Sequence, residues 1–502
     1  MPLSDYQIVV GLEVHAELST ASKIFCSCRN LFGAEPNTLV CPICLGLPGV
    51  LPVLNEKVVE YALRAGLALN CAIAPTSKFD RKQYFYPDLD KAYQISQFDQ
   101  PICGKGWLDV EVALPSRPAE EMAGTSGQAS MVPKRIGITR IHIEEDAGKL
   151  LHAGAGGQIG AGESSLVDYN RAGVPLIEIV SEPDMRSTEE AVAYLSALKE
   201  ILRYLQVSDC NMEEGSLRCD ANISVMKKGA SAFGTRVEVK NMNSFKNVAK
   251  AIVAEAERQV ELLEGGGTIH METRSWDADK GQTRAMRSKE EAHDYRYFPE
   301  PDLGPLVLEE AFVAKVRAAL PELPQAKRER LAKDYGLPAY DAGVLCEEPA
   351  LAAYFEAVAK ASGNAKAASN WVMGELLALL KQRSLGILES PISAAHLGAM
   401  IQMIDKAVIS GKIAKTVFEK MAEGGGDPAG IVEREGLVQV TDDSAIAGFV
   451  KAAMDANPKV VEDFRAGKEA VIGFMVGAVM KQSKGKANPA KVNELLRKMM
   501  SS

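Results

Sequence analysis

Glu13, His15 and Glu17 stand at every second position of VVGLEVHAEL (residues 9–18). Strand side chains alternate between faces, so in a strand these three share one side, and Leu12, Val14, Ala16 and Leu18 share the other. Other acidic groups follow within the same half of the chain. HIEEDAGK supplies Glu144, Glu145 and Asp146; PLIEIVSEPD supplies Glu178, Glu182 and Asp184; NMEEGSLRCDAN supplies Glu213, Glu214 and Asp220. Singly, a strand Glu is a solvated surface residue and a His is a satisfied core residue. Gathered in one domain, the carboxylates repel one another unless a cation sits among them. Hard oxygen donors favour Mg²⁺, which also holds substrate phosphates, and one imidazole is tolerated beside them.

A second constellation is made of sulfur. Cys26-x-Cys28 and Cys41-Pro-Ile-Cys44 are two close pairs separated by a short loop, which suits four thiolates around Zn²⁺. Pro42 and Gly46 help the chain turn around an ion. Four thiolates leave no open position, so this metal is expected to be structural. Cys71, Cys103, Cys210, Cys219 and Cys346 lack such spacing and read as packing residues. No Gly-Lys pair is followed by Ser or Thr, which excludes a P-loop. The glycine-rich stretch HAGAGGQIGAGESS (152–165) does not fit G-x-G-x-x-G and reads as a loop. A bound nucleotide would therefore depend on metal and on cations, with Arg140, Arg171, Arg218, Arg236 and Lys240 as candidates.

The elements that must carry these groups are legible in outline. RIGITRIHIEE (135–145) alternates with Arg140, His142 and Glu144 on one face. RCDANISV (218–225) places Asp220, Asn222 and Ser224 together, and TRVEVKN (235–241) does so for Arg236, Glu238 and Lys240. The last two read as a hairpin. Ser187 with Glu190 forms a capping box ahead of an apolar stripe from Ala191 to Leu205. A second helix is expected from Ser244 to Gly265-Gly266-Gly267. The stretch 115–133 reads as a surface loop. After YRYFPEPDLGP (295–305) the composition turns to Ala, Leu, Lys and Glu at helical spacing, punctuated by EGGGDP (423–428).

The chain has 502 residues, 47% hydrophobic and 25% charged, with a formal net charge of −9. That is globular composition with no general attraction to nucleic acid, so an RNA contact needs a local basic patch. One exists: Lys481, Lys484, Lys486, Lys491, Arg497 and Lys498 stand against Glu494 alone after Gly473. The N-terminus lacks the pattern of a signal peptide, and the apolar run Ala470–Met480 is too short to span a bilayer and reads as a core helix. A cytoplasmic protein is expected.

Several long strings carry a family resemblance: VVGLEVHAEL, CPICLGLPGVLPVLN, YFYPDLDKAYQISQFDQPI, IHIEEDAGK, VDYNRAGVPLIEIVSEPD, EGSLRCDANISV and VEVKNMNSF. Together they resemble the B-subunit family of tRNA-dependent amidotransferases, over essentially the whole chain. The resemblance implies an α+β protein. Residues 1–295 would be a catalytic cradle on an antiparallel sheet, similar to the glutamine synthetase fold and carrying the zinc site. Residues 296–405 would form a helical domain, and 406–502 an all-helical basic tail that binds tRNA. The implied reaction uses ATP to phosphorylate the side-chain carboxylate of Glu-tRNA(Gln) or Asp-tRNA(Asn), after which ammonia displaces the phosphate. The ammonia would come from an amidase-like glutaminase, the A subunit, which a small C subunit would brace. On this reading Glu13, His15, Glu145 and Glu214 hold Mg²⁺, with Glu144, Glu178, Glu213 and Asp220 as further catalytic candidates. The family commonly has Pro and Gly where this chain has Asp90 and Ala92. A small-molecule carboxylate ligase and a non-catalytic zinc protein that binds RNA are the competing readings. The basic tail argues against the first and the acidic cluster against the second.

Overall fold

The structure is a computed structural model and describes residues 5–113, 131–153, 164–286, 295–424, 426–440, 442–483 and 485–501. Most of the loop expected at 115–133, most of the glycine-rich stretch 152–165, and Lys484 lie outside the described residues. The chain divides into two units, Met1–Leu323 and Pro324–Ser502.

The first unit is built on an eight-stranded sheet. Its strands in chain order are β1 (Tyr6–Glu17), β2 (Gly106–Ala113), β3 (Met131–Glu145), β4 (Pro175–Ser181), β5 (Leu217–Lys227), β6 (Val237–Lys240), β7 (Thr273–Asp277) and β8 (Gln282–Ala285). The spatial order is β8-β7-β6-β5-β1-β4-β3-β2. Every pairing is antiparallel except β6 with β7. The expected hairpin is the β5–β6 pair.

On β1 the alternation holds: Leu12, Val14 and Ala16 are buried, while Glu13, His15 and Glu17 are only partly covered. The apolar face is closed by α1 (Glu56–Ala68), α2 (Thr188–Tyr204) and α3 (Phe245–Glu264), whose Val58, Leu63, Tyr194, Leu198, Val248 and Ile252 join the strand residues in one core. Ser187 Oγ caps α2 by accepting from the Glu190 N–H at 3.2 Å. The reciprocal half of the box is shifted by one residue, because Glu190 Oε2 accepts from the Arg186 N–H at 2.8 Å. Ser244 caps α3 in the same way, and the helix stops at Gly265.

Short strands close the unit. Phe298–Pro299 pairs with Asp80–Arg81, and Leu306–Val307 pairs with Thr76–Ser77. The helix Glu310–Ala318 buries Val316 in the same core. The helical composition that starts near Glu309 thus begins inside the first unit, because residues 298–307 are tied back to 76–81 by strand pairing.

The second unit is helical. One apolar cluster runs from Leu331 to Val432 and another from Ile446 to Met500. The apolar run near residue 475 is a helix, Ile472–Gln482, that buries Ile472, Met475 and Val479. Among the described residues no helix is long and apolar enough to cross a membrane. The architecture is mixed α/β, with one large antiparallel-dominated sheet and many helices.

Candidate active site and metal centre

Register decides which polar side chains meet. His15 on β1 stands opposite Arg218 on β5 and Glu178 on β4, and Glu178 stands opposite His142 on β3. Directly opposed residues point to one face, so Arg218, His15, Glu178 and His142 form a row across four strands. Glu144 lies two residues beyond His142 on the same face. His15 Nε2 is 3.2 Å from Glu178 Oε2 and 3.6 Å from Glu144 Oε1. His142 Nε2 is 3.4 Å from Glu178 Oε2 and 3.6 Å from Glu144 Oε2. Two imidazoles and two carboxylates therefore share a mostly buried pocket of charge.

Without a cation the carboxylates lean on the imidazoles. Burial works against an imidazolium at His15, but the hydrogen bond and charge of Glu178 and the charges of Glu144 and Asp220 outweigh it and lift its pKa from 6.5 to about 9. Burial likewise opposes ionisation of Glu178, yet the charge of His142 and the bond from His15 hold it well below the ordinary carboxylate range. Glu144 is lowered despite its burial, through its hydrogen bond to His142. His15, Glu144 and Glu178 each offer one donor atom, all within 4.8 Å of one another. One nitrogen and two oxygens are a donor set that fits a hard divalent cation.

The other predicted residues divide. Glu13 lies outside that three-donor group; its Oε1 accepts from Asn222 Nδ2 at 2.9 Å, and burial together with the Glu178 charge raises its pKa. Glu145 is not brought to His15. Neighbouring strand residues face opposite ways, and Glu145 accepts from Lys91 Nζ at 2.5 and 2.6 Å and from the Ile95 N–H at 2.9 Å. Glu213 and Glu214 sit exposed on the turn before β5 and do not join the group, since residues ahead of the strand are outside its register. Asp220 pairs with Lys240 at 2.5 Å, and Lys240 also reaches Glu238 at 3.0 Å.

Three of the arginines are engaged within the site. Arg140 Nε donates to His142 Nδ1 at 3.4 Å. Arg218 holds Asp146 with two bonds, at 3.2 and 2.7 Å, and Arg171 Nε is 3.4 Å from the same carboxylate. Glu17 joins them: burial, the charge of Asp146 and a hydrogen bond to it push its pKa up to about 8. Arg236 lines a cavity of about 480 Å³ beside Glu13, with Gly11, Asn222, Ser224, Phe233 and Met271.

His142 was visible on its strand face, but only register shows that it meets Glu178. Lys82 and Lys91 were not singled out in the sequence. Lys82 Nζ lies 5.0 Å from the Tyr295 ring centre and 5.7 Å from that of Tyr84. Burial opposes its charge, but Glu144 and Glu178 help to raise its pKa.

The four cysteines meet. Their sulfurs all lie within 4.8 Å of one another, a donor set of four that suits tetrahedral Zn²⁺. Cys44 Sγ accepts from the Cys41 N–H at 3.1 Å. The bond from Cys26, the Cys41 N–H and the charge of Lys23 lower the Cys44 pKa to about 5 against the effect of burial. Gly46 is required here twice: its φ is +60°, and an added Cβ would lie 2.2 Å from Lys91 Cγ. Cys26 and Cys44 line a cavity of about 230 Å³ that also touches Lys91 and Glu145. The remaining five cysteines are buried and form no disulfide, as expected of packing residues.

The arrangement defines a class: a sheet-based α/β protein with a carboxylate–imidazole group and a separate four-cysteine group, each of which could hold a metal ion. Comparison with known proteins is more specific. Residues 8–314 match the model of the GatB/GatE catalytic domain, and residues 353–500 match that of the GatB domain. The chain belongs to this GatB family. A protein of Caldicellulosiruptor saccharolyticus, named as the B subunit of aspartyl/glutamyl-tRNA(Asn/Gln) amidotransferase, is 57% identical over 496 residues, covering 98% of each chain. Proteins of the same name from Carboxydothermus hydrogenoformans and Geobacter sulfurreducens are 55% and 56% identical, each covering 99% of both chains.

Proposed function

We propose that this chain is the amidating subunit of a tRNA-dependent amidotransferase. It uses ATP to phosphorylate the side-chain carboxylate of Glu-tRNA(Gln) or Asp-tRNA(Asn), and ammonia then replaces the phosphate. The observation that carries the reading is the His15–Glu144–Glu178 group on the charged face of β1, β3 and β4. Mg²⁺ held there would offset the repulsion between nucleotide phosphates and an anionic substrate. His142, fixed by Arg140, keeps Glu144 and Glu178 in place. The cavity beside Glu13 offers Phe233 and Met271 to a base, and Arg236 to phosphate. Lys82 supplies a cation close to the carboxylates. This polar face would serve as a cradle of the glutamine synthetase kind.

Ammonia would come from the amidase-like A subunit, which the small C subunit would brace, and the complex would work in the cytoplasm. Zn²⁺ on Cys26, Cys28, Cys41 and Cys44 would be structural. The basic end of the second unit, with Lys481 exposed, would contact tRNA phosphate. The test is amide formation by the reconstituted complex with each mischarged tRNA, using glutamine or ammonium as donor. ATP turnover indifferent to mischarged tRNA would defeat the proposal.

A further inference from the structure

Lys23 is fully buried, and it is among the largest side chains so enclosed. A lysine at a surface lets its ammonium reach water along its flexible stem; this one is sealed. Among the described residues its ammonium has one hydrogen-bond partner, Cys44 Sγ at 3.7 Å. A buried ammonium is costly unless a negative group answers it. Among the described residues, the enclosed acids of this unit meet ammonium, imidazole or guanidinium partners, as Glu145 does with Lys91 at 2.5 Å and Glu255 with Arg258 at 2.6 Å. For Lys23 the answering group is the Cys44 sulfur, one of the four that could hold zinc.

Cys44 is also unlike its three companions. It is buried, whereas Cys26, Cys28 and Cys41 are partly open. Besides the bond from Cys26, its sulfur accepts from the Lys23 ammonium and the Cys41 N–H. The lysine is held from several sides. Its own N–H donates to Cys28 O at 3.0 Å, and its carbonyl accepts from Asn55 Nδ2 at 3.3 Å. Gly173 lies beside both partners: a Cβ added there would come within ordinary contact, 3.5 Å from Cys44 Cβ and 3.7 Å from Lys23 Cδ. The backbone of Lys23 is thus held at its N–H and its carbonyl, and the enclosed ammonium reaches one sulfur.

We propose that Lys23 is a positioning residue of the zinc centre, whose ammonium holds the Cys44 sulfur in place and offsets part of the negative charge of the zinc-bound cluster. The inference rests on the zinc reading given above. Four thiolates and one Zn²⁺ carry a formal charge of about −2, and an enclosed cation beside them brings the local sum closer to neutral. Outer groups that bond metal ligands in this way change metal affinity by roughly 10- to 100-fold when removed.

The experiment uses the full-length chain loaded with zinc, and measures transfer of zinc to 4-(2-pyridylazo)resorcinol. Lys23→Met keeps the stem and removes the charge; it should release zinc about tenfold faster or more. Lys23→Arg keeps the charge and should stay close to the parent. Cobalt substitution gives a second readout, because the thiolate-to-cobalt absorption band should move in Lys23→Met and not in Lys23→Arg. If Lys23→Met does not fold, Lys23→Gln is read in its place. A parent chain with no zinc would defeat the zinc reading itself. A zinc-loaded parent with unchanged release and an unmoved band in the uncharged variant would overturn the role of Lys23 alone. So would failure of Lys23→Arg to fold, or zinc loss from it equal to that of the uncharged variant, since then Lys23 only fills space.

Discussion

Glu178→Gln is the most discriminating perturbation of the acidic group. The carboxylate stands between two imidazoles, 3.2 Å from His15 Nε2 and 3.4 Å from His142 Nε2, and it supplies one of three donor atoms able to share a cation. Gln keeps the size and one oxygen but removes the charge. Glu144 still faces both rings, at 3.6 Å each, so the fold should survive and circular dichroism should be unchanged. Removing one preorganised electrostatic element costs roughly a hundredfold in rate, or about 2.7 kcal/mol of transition-state stabilisation. We predict a loss of that order in ATP- and tRNA-dependent amide formation by the assembled complex, with half-maximal activity moved to higher Mg²⁺. Glu214→Gln, on its exposed turn, should leave both quantities unchanged. Glu13→Gln should cost less than Glu178→Gln, because Glu13 lies outside the three-donor group. The reasoning is refuted if Glu178→Gln stays near the parent across a Mg²⁺ titration, or if Glu214→Gln loses as much.

Cys41→Ser should carry less than one zinc per chain by metal analysis and should melt lower by more than about 5 °C, as loss of a structural metal site implies; full zinc with an unchanged midpoint would count against the site. Asp90 supplies a pH test: burial first, then the charge of Glu145, raise its pKa from 3.8 to about 6 against Lys91, and its Oδ2 is enclosed without a hydrogen-bond partner. A carboxyl raised in the folded state stabilises below its unfolded pKa, and that stability is lost as pH rises through about 6. Asp90→Asn should therefore gain about 1–2 kcal/mol at pH 7.5, after discounting for partial exposure, and the gain should shrink toward pH 5 in urea unfolding; a pH-independent difference would contradict this. In the second unit, Lys481→Glu with Lys486→Glu should weaken tRNA binding and lower the salt slope by about one per lost phosphate contact; unchanged affinity at every salt concentration would remove these lysines from the interface.

Local pattern carried part of this site and register carried the rest. Alternation in VVGLEVHAEL put Glu13 and His15 on one face, and the structure keeps them there. Whether a neighbouring strand brings Glu178 or Glu182 opposite His15 is a property of pairing, and no local pattern in PLIEIVSEPD states it. The run Glu144-Glu145-Asp146 is the clearest case, since three adjacent acids look equivalent in sequence. The four cysteines were legible because two short spacings leave little conformational freedom. The cations were not. Lys23 and Lys91 meet their partners only when segments far apart in the chain are packed together. The end of the first unit was obscured for a similar reason: strand pairings as short as Phe298–Pro299 with Asp80–Arg81 leave almost no periodic signal.

The three acids at the end of β3 also show how the two centres are joined. Glu144 faces His15 and His142; Glu145 faces Lys91 and the cavity that touches Cys26 and Cys44. Asp146 gathers Arg218, Arg171 and Glu17; its N–H donates to Val174 O at 2.8 Å, and its carbonyl accepts from the Gly173 N–H at 3.0 Å. Gly173 in turn lies beside Cys44 and Lys23, which a Cβ there would only just reach. One stretch of strand thus serves the acidic group on one face and the thiolate centre's surroundings on the other. A slip of one residue would exchange Glu144 and Glu145 between faces. It would turn Glu144 away from the imidazoles and Glu145 away from Lys91. The buried Lys91–Glu145 pair, held by two bonds to Lys91, opposes that slip, because leaving a buried charge unpaired costs about 3–5 kcal/mol. The thiolate loop, which supplies Gly46 to make room for Lys91, therefore helps to set the register in which Glu144 meets His15.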